Sequence, residues 1–253
     1  MTDGAEKLKK AIEFGGIPRY LYKYTSAENC LRILRDKTLY FPNYKKFNDP
    51  FECKSIIDTR ITDEEWFRFL TESLHQSRER AIGWIEFIRE DPNGLGEQFV
   101  GELLNTDYKY GILCLSSKYD DLLLWAHYAN EHKGCCVKLD LMADHELFKW
   151  IRKVEYDDKY PVCNYVNNPE TSLDVLFHKS KVWEYEDEYR VVSFENTGVL
   201  PVSPAAICAV YLGCRISEDD RENVIKSIRL SQTAVYQAST NPEVYRLDFE
   251  RVL

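Results

Sequence analysis

The chain has 253 residues, 44% of them hydrophobic and 30% charged, which is enough for one large domain with a substantial core. Its net charge of −9 argues against bulk electrostatic binding of nucleic acid, although a local basic groove stays open. No apolar run is long enough to span a bilayer, and the first residues lack a signal-peptide pattern, so we expect a cytoplasmic protein without a membrane partner.

The N-terminal part predicts two helices and two strands. Helices are expected over about 6–14 and 27–35, the second capped by Ser26, and strands over 20–24 and 38–41. A turn follows at Asn48-Asp49-Pro50, because Asn and Asp bond nearby backbone and proline fixes φ. Residues from 62 to about 104 predict a helical insertion, opened by a Thr62-x-x-Glu65 capping box and broken at residues 91–94.

The remainder predicts mostly strands. They are expected over 111–116, 134–139, 154–156, 189–194, 209–212, 234–237 and 244–249, with helices over 122–128 and, after Ser217, 218–228. This pattern indicates a single α+β domain over 1–253 with a mixed or antiparallel sheet. It does not show the regular β-α alternation of a doubly wound fold.

The eight cysteines are scattered through apolar contexts and form no Cys-x-x-Cys pair. In a cytoplasmic chain such cysteines are most simply small buried hydrophobic residues. We therefore expect free thiols and no metal site.

The most informative segment runs from Lys181 to Val192 and carries four acids and an arginine among three aromatic residues. Read as a strand, it would place Glu184, Glu186, Glu188 and Arg190 on one face. Like charges on one face repel unless a cation or a hydrogen-bonding ligand lies there. A binding site and a solvated edge strand are both consistent with the segment.

Three other polar and aromatic clusters accompany this segment. The first ends a strand in hydroxyl groups at a helix N-terminus (Tyr22 to Ser26), and the second is the turn from Asn48 to Glu52. The third joins Ser116-Ser117 to the sequence from Leu124 to Tyr128, which includes Trp125 and His127. Nucleotide-binding glycine loops, a Gly-x-Ser-x-Gly elbow and a His-Glu-x-x-His zinc sequence are absent from the chain.

In this order the clusters resemble a bacterial family, the domain-of-unknown-function family twenty-nine seventy-one, over nearly the whole chain. The resemblance is strongest in the sequence from Leu124 to Tyr128 followed by Lys133-Gly134, and in the sequence from Trp183 to Arg190. It implies no established activity, but it suggests a defence or toxin effector.

The layout also resembles, more distantly, the ADP-ribosyltransferase superfamily. That resemblance implies a split β-sheet body around a bent NAD, with a polar residue on the first strand and a Ser/Thr or aromatic cluster in the middle. A glutamate on a late strand completes the site. The corresponding parts here would be Lys23 with Thr25, Ser116 with Tyr128, and the Glu186-x-Glu188 pair. Lys23 stands where the superfamily usually has His or Arg, and Ser116-Ser117 matches its Ser-Thr-Ser only loosely.

The resemblance also implies roles for these residues. Glu188 would stabilise the oxocarbenium-like transition state of nicotinamide release, and Glu186 would orient or deprotonate the acceptor. Lys23 or Arg190 would contact the pyrophosphate. The remaining predicted binding residues are Asn48, Asp49 and His127, together with Tyr24, Trp125 and Tyr128, whose rings would stack on nicotinamide or adenine.

Two alternatives stay open. Asp49, Glu52, Glu186 and Glu188 are the ligands that a magnesium-dependent nuclease would use, although Arg190 stands where such a site usually has lysine. In a non-catalytic interaction or sensor module, the acids and Arg190 would instead form internal ion pairs.

Overall fold

The computed structural model describes residues 3–58, 60–90, 110–164, 166–168, 171–194, 197–229 and 231–253. The chain forms two compact units. The first comprises residues 1–42, 111–153 and 185–253, and the second comprises residues 43–110 and 154–184. Among the described residues, no helix combines the length and the apolar character needed to cross a bilayer.

The first unit is built on one eight-stranded mixed sheet. In spatial order its strands are β14 (Leu247–Arg251), β13 (Ala234–Thr240), β12 (Ile207–Leu212), β5 (Cys135–Asp140), β1 (Tyr20–Thr25), β4 (Gly111–Ser116), β10 (Glu188–Ser193) and β6 (Ile151–Lys153). All neighbours are antiparallel except β12 and β13. A separate antiparallel pair joins β2 (Thr38–Phe41) to β11 (Gly198–Pro201).

Three helices supply apolar side chains to the core on one side of this sheet. They are α1 (Asp3–Glu13), α2 (Ala27–Asp36) and α7 (Glu218–Ile228), and their buried residues join the core side chains of the strands. A smaller aromatic core includes side chains from β1, β12 and β14 together with α5 (Leu122–Tyr128). The sheet is therefore covered by apolar packing that leaves only a few polar side chains buried in it.

Capping side chains determine where three of these helices begin, and two of the caps, Ser26 and Ser217, are predicted from the sequence. Ser26 caps α2 by accepting from the Asn29 amide, and Ser217 caps α7 by accepting from the Asp220 amide. Asp121 caps α5 by accepting from the Leu123 and Leu124 amides. Gly134, which directly precedes β5, lies so close to the Thr25 carbonyl that a Cβ atom would clash with it, which explains a glycine at this position between α5 and β5.

The second unit is made of short elements. Its helices are α3 (Asp63–Arg68), which continues as one π-helical turn (Phe69–Ser73), α4 (Arg78–Glu90) and α6 (Thr171–Asp174). Two parallel strand pairs accompany them, β3 (Ile56–Ile57) with β8 (Val162–Cys163) and β7 (Glu155–Asp157) with β9 (His178–Ser180). The predicted capping box of Thr62 and Glu65 is present.

Three sequence predictions need correction or fall outside the description. Residues 181–186 form a 3₁₀ helix rather than the first half of a strand, because Asp187 adopts a left-handed φ of 42° and β10 begins only at Glu188. The helical spacing of the apolar residues in the insertion also predicts Leu74 and Ile82 on its buried face, but they are 37% and 51% exposed, because helical spacing alone does not say which face is covered. The predicted insertion is helical up to residue 90, and its remainder, with the break at 91–94, lies outside the described residues.

Candidate functional site

The first unit brings three polar side chains to one level of its sheet. Ser116, at the end of β4, pairs with Tyr22 of β1 on one side and with Glu188 of β10 on the other. Directly paired residues on neighbouring strands share a face of the sheet. The first, a middle and a late strand of the chain therefore present Tyr22, Ser116 and Glu188 side by side.

Glu188 is buried together with Arg190, two residues along the same strand. The Arg190 guanidinium donates from Nε to Glu188 Oε1 at 2.8 Å and from Nη2 to Glu188 Oε2 at 3.1 Å. Arg190 is fully buried and Glu188 is only 4% exposed. A two-pronged pair of this kind fixes the orientation of the carboxylate and compensates its charge inside the protein.

Glu186 is also buried, at 3% exposure, and is held by its own partners. The Tyr128 hydroxyl, at the end of α5, donates to Glu186 Oε1 at 2.7 Å. The Ser116 hydroxyl donates to the Glu186 backbone carbonyl at 2.6 Å. Ser116, Tyr128 and the Glu186-x-Glu188 pair, which lie far apart in the sequence, thus form one connected group.

Lys23 and His127 each contact a residue close to this group in the sequence. The Lys23 ammonium donates to the Cys114 carbonyl at 3.1 Å. His127 Nδ1 lies 3.0 Å from the hydroxyl of Tyr185. Burial raises the pKa of the Cys114 thiol, and the charge of the neighbouring Glu188 raises it further, so this part of the sheet disfavours additional negative charge.

Two residues predicted to stack on a ligand belong to the core instead. Trp125 is fully buried, with its indole N–H donating to the Tyr119 carbonyl at 2.8 Å, and Tyr24 is 6% exposed, with its ring at right angles to the indole. Thr25 is buried as well, at 8% exposure. These side chains shape the site by packing, because their surfaces are already covered by protein.

In the second unit, the predicted Asn48-Asp49 turn meets the segment around Trp183. The Trp183 indole N–H donates to Asp49 Oδ2 at 2.8 Å, and the Lys179 ammonium lies 4.9 Å from the centre of the indole ring. Asn48 itself is exposed. The two sequence clusters therefore form a second polar group, which we call the Trp183 group, comprising Asp49, Lys179 and Trp183.

The four acids proposed as nuclease ligands are divided between the units. Glu186 and Glu188 belong to the first, and Asp49 and Glu52 to the second. Within the described residues, no three His, Cys, Asp or Glu side chains are grouped as metal ligands. Each of these carboxylates has a protein partner, such as Lys179, whose ammonium lies 3.5 Å from Glu52.

Sequence reasoning missed Tyr22, Lys179 and Trp183 as members of the two groups. Tyr22 lies in the predicted first strand, but its alignment with Ser116 depends on a register between strands more than 90 residues apart in the chain. Burial raises the pKa of Tyr22 to about 12, so its hydroxyl stays protonated at neutral pH. Trp183 lies within the acidic segment itself, and Lys179 lies two residues before it, which is the local signal that marks them.

Comparisons of this chain with protein-family models, with curated proteins and with solved structures find no match. The function must therefore be argued from the chemistry of the two groups.

Proposed function

We propose that the chain is an ADP-ribosyltransferase-like enzyme that cleaves NAD and transfers ADP-ribose to an acceptor or to water. The observation that carries this proposal is the alignment of Tyr22, Ser116 and Glu188 on three adjacent strands. It agrees with the order of parts that the resemblance implies: a polar residue on the first strand, a serine in the middle and a glutamate late in the chain. The polar residue at that level is Tyr22, with Lys23 beside it.

In this proposal Glu188 acts on the ribose that carries nicotinamide. Loss of nicotinamide leaves an oxocarbenium-like ribose, and a fixed carboxylate that accepts from a ribose hydroxyl stabilises this developing positive charge more than it stabilises bound NAD. Arg190 positions the carboxylate, so it is assigned to Glu188 rather than to the pyrophosphate. Binding of the ribose requires one carboxylate oxygen to become accessible, since Glu188 is 4% exposed.

In this proposal Glu186 acts on the acceptor of ADP-ribose. The Tyr128 hydroxyl holds this carboxylate through Oε1, and the carboxylate would orient an acceptor hydroxyl or remove its proton. Tyr128 then acts as a positioning residue, because it touches the carboxylate and not the reacting ribose. The acceptor is open: a protein, a nucleic acid and water are all compatible with this role.

The test is release of nicotinamide from NAD by the purified protein, followed by chromatography with and without EDTA. We expect release that survives EDTA and is lost in Glu188→Gln. Glu184→Gln is the matched control, because Glu184 is an exposed carboxylate in the same segment, and we expect it to retain activity. Circular dichroism of each variant separates lost chemistry from lost folding. Absence of both nicotinamide release and calorimetric NAD binding in the wild-type protein would refute the proposal.

A non-catalytic interaction module is the second candidate, and the burial of Glu188 favours it. An acid that is 4% exposed and bound through both oxygens by Arg190 is already satisfied inside the protein. Such a pair can be retained for structural specificity without taking part in chemistry. The same NAD experiment decides between the two, since the module predicts neither release nor binding of NAD.

A further inference from the structure

We propose that the second unit contains a separate binding site for a nucleoside, in a cleft beside the Trp183 group. The cleft has a volume of about 520 Å³, which falls within the range of small-molecule sites. All of its lining residues belong to the second unit. The site is independent of the proposed NAD chemistry, which uses residues of the first unit.

The floor of the cleft is fixed by buried polar contacts. The side chains of Lys179 and Glu52 are each 4% exposed and form an ion pair of 3.5 Å. The Trp183 indole is held by its bond to Asp49 on one side and by the Lys179 ammonium over its ring. Burying an ion pair costs desolvation and contributes little net stability, so a buried pair that positions a ring in a cleft suggests a binding role.

The walls of the cleft expose aromatic and aliphatic surface. Phe51 is 63% exposed, Tyr160 is 39% exposed and Val182 is 73% exposed, and all three line the cleft with Trp183. Apolar side chains collected in a concavity, unlike single ones scattered over a surface, mark ligand sites. Flat rings are the surfaces on which a planar heteroaromatic base stacks.

The charges of the lining select an uncharged ligand with many hydrogen-bonding groups. Charged side chains of both signs line the cleft, three carboxylates and three ammonium groups: Asp49, Asp157, Asp158, Lys54, Lys159 and Lys179. Their formal charges cancel, so no net field attracts a phosphate. Carboxylates accept from exocyclic amino groups and ribose hydroxyls, whereas ammonium groups donate to ring nitrogens and keto oxygens. Those are the groups of a nucleoside, and a cleft of this volume accommodates one.

Isothermal titration calorimetry of the intact protein with adenosine, guanosine and adenosine monophosphate tests the proposal. We expect saturable binding of at least one nucleoside, and no tighter binding of the monophosphate, because the formal charges of the lining cancel and give its phosphate no net attraction. Phe51→Ala should weaken nucleoside binding by roughly tenfold or more through the loss of stacking. Phe14→Ala is the matched control, since Phe14 is 87% exposed in the first unit, and it should bind as the wild type does.

Glu188→Gln separates this site from the proposed NAD site, because it should abolish nicotinamide release while nucleoside binding persists. Phe51 is largely exposed, so its replacement is not expected to unfold the protein. The proposal is overturned if neither nucleoside binds, if Phe51→Ala binds like the wild type, or if binding disappears in Glu188→Gln. Tighter binding of free tryptophan than of either nucleoside would overturn the assigned ligand class.

Discussion

At the scale of single residues, Arg190 is the most consequential charged side chain of the first unit. It is fully buried, and its guanidinium is bound to both oxygens of Glu188. Removing one partner of such a pair leaves the other as an uncompensated buried charge. We therefore predict that Arg190→Met lowers the free energy of unfolding by about 3–5 kcal/mol.

Urea unfolding followed by circular dichroism measures this loss. The matched control is Arg246→Met, because Arg246 forms an exposed pair with Asp248 at 3.0 Å, and exposed pairs contribute about 0–1 kcal/mol. The double variant Arg190→Met, Glu188→Gln removes both charges and should recover part of the loss. Equal destabilisation by the two arginine substitutions would show that the buried pair has no special role.

Tyr128 tests whether Glu186 works as a positioned acid. Tyr128→Phe removes the hydroxyl that donates to Glu186 Oε1 at 2.7 Å and leaves the ring in place. If the chain cleaves NAD as proposed, we predict that transfer to an acceptor falls by about tenfold, the effect of losing about 1.4 kcal/mol of orientation. The rate of NAD hydrolysis, in which water is the acceptor, should fall less, because Glu188 keeps its partner Arg190.

The measurement compares kcat and KM for Tyr128→Phe with those for Tyr185→Phe. Tyr185 supplies the matched control, since it is a tyrosine of the same segment whose hydroxyl lies 3.0 Å from His127 Nδ1. A purely structural role would lower both activities of Tyr128→Phe together with its melting temperature. The assigned role predicts a lower kcat for transfer at an unchanged melting temperature.

At the scale of elements, local signals in the sequence predict where helices and strands lie, but not which strands become neighbours. The strands 38–41 and 111–116 and the helices 122–128 and 218–228 have the predicted bounds, because caps such as Asp121 and Ser217 and alternating apolar residues act over a few positions. The pairing of β1 with both β4 and β5 joins residues about a hundred positions apart, and no local pattern encodes it.

The same dependence on long-range strand pairing limits what the sequence predicts about the candidate site. The resemblance to the ADP-ribosyltransferase superfamily implies that Ser116, Tyr128, Glu186 and Glu188 are parts of one site, and the structure connects these four residues. Their exposure was not predictable, because burial depends on the side chains that long-range pairing brings over them. The interpretation of residues 184–190 as one strand is wrong. The left-handed turn at Asp187 interrupts the strand without changing the alternation of charged and aromatic residues in the sequence.

Asp58 joins β3 to β8 in the second unit, and the ionisation of its carboxyl makes the stability of this strand pair depend on pH. Its amide donates to the Cys163 carbonyl, and its carboxylate accepts from Arg60 and Asn164. The hydrogen bonds from Arg60 lower the pKa of Asp58 to about 2 from the ordinary value of 3.8. A lowered folded-state pKa adds stability that is present above about pH 3.8 and is lost as the pH falls towards 2.

We predict that Asp58→Asn lowers the free energy of unfolding by about 1–2 kcal/mol at pH 7, as loss of a charge-assisted hydrogen bond should. The difference from the wild type should shrink between pH 4 and pH 2. Urea midpoints at pH 7, 4 and 3 measure it. Asp36→Asn is the control, because Asp36 and its partner Arg35 are exposed and their pair is screened by solvent. A difference that stays constant with pH would contradict the assignment to the ionised carboxylate.

At the scale of the whole molecule, the cysteines report on the two units separately. All eight are free thiols. Five are buried, with Cys30, Cys135 and Cys136 in the first unit and Cys53 and Cys163 in the second. Burial also raises the pKa of the partly exposed thiols Cys208 and Cys214, which lowers their thiolate fraction at neutral pH. We therefore expect slow reaction with a thiol reagent in the native protein, and eight reactive thiols after denaturation without reductant.

The order in which these thiols become reactive tests how stability is distributed. The described part of the second unit has two-stranded sheets, which are marginal by themselves, whereas the first unit has an eight-stranded sheet with a large core. We predict that Cys53 and Cys163 react at lower urea concentrations than Cys135 and Cys136, as measured by pulse alkylation and peptide mass spectrometry. Because Cys30 and Cys135 belong to the same core, they should react together. Simultaneous exposure of all five buried thiols would instead mean that the two units unfold as one cooperative structure.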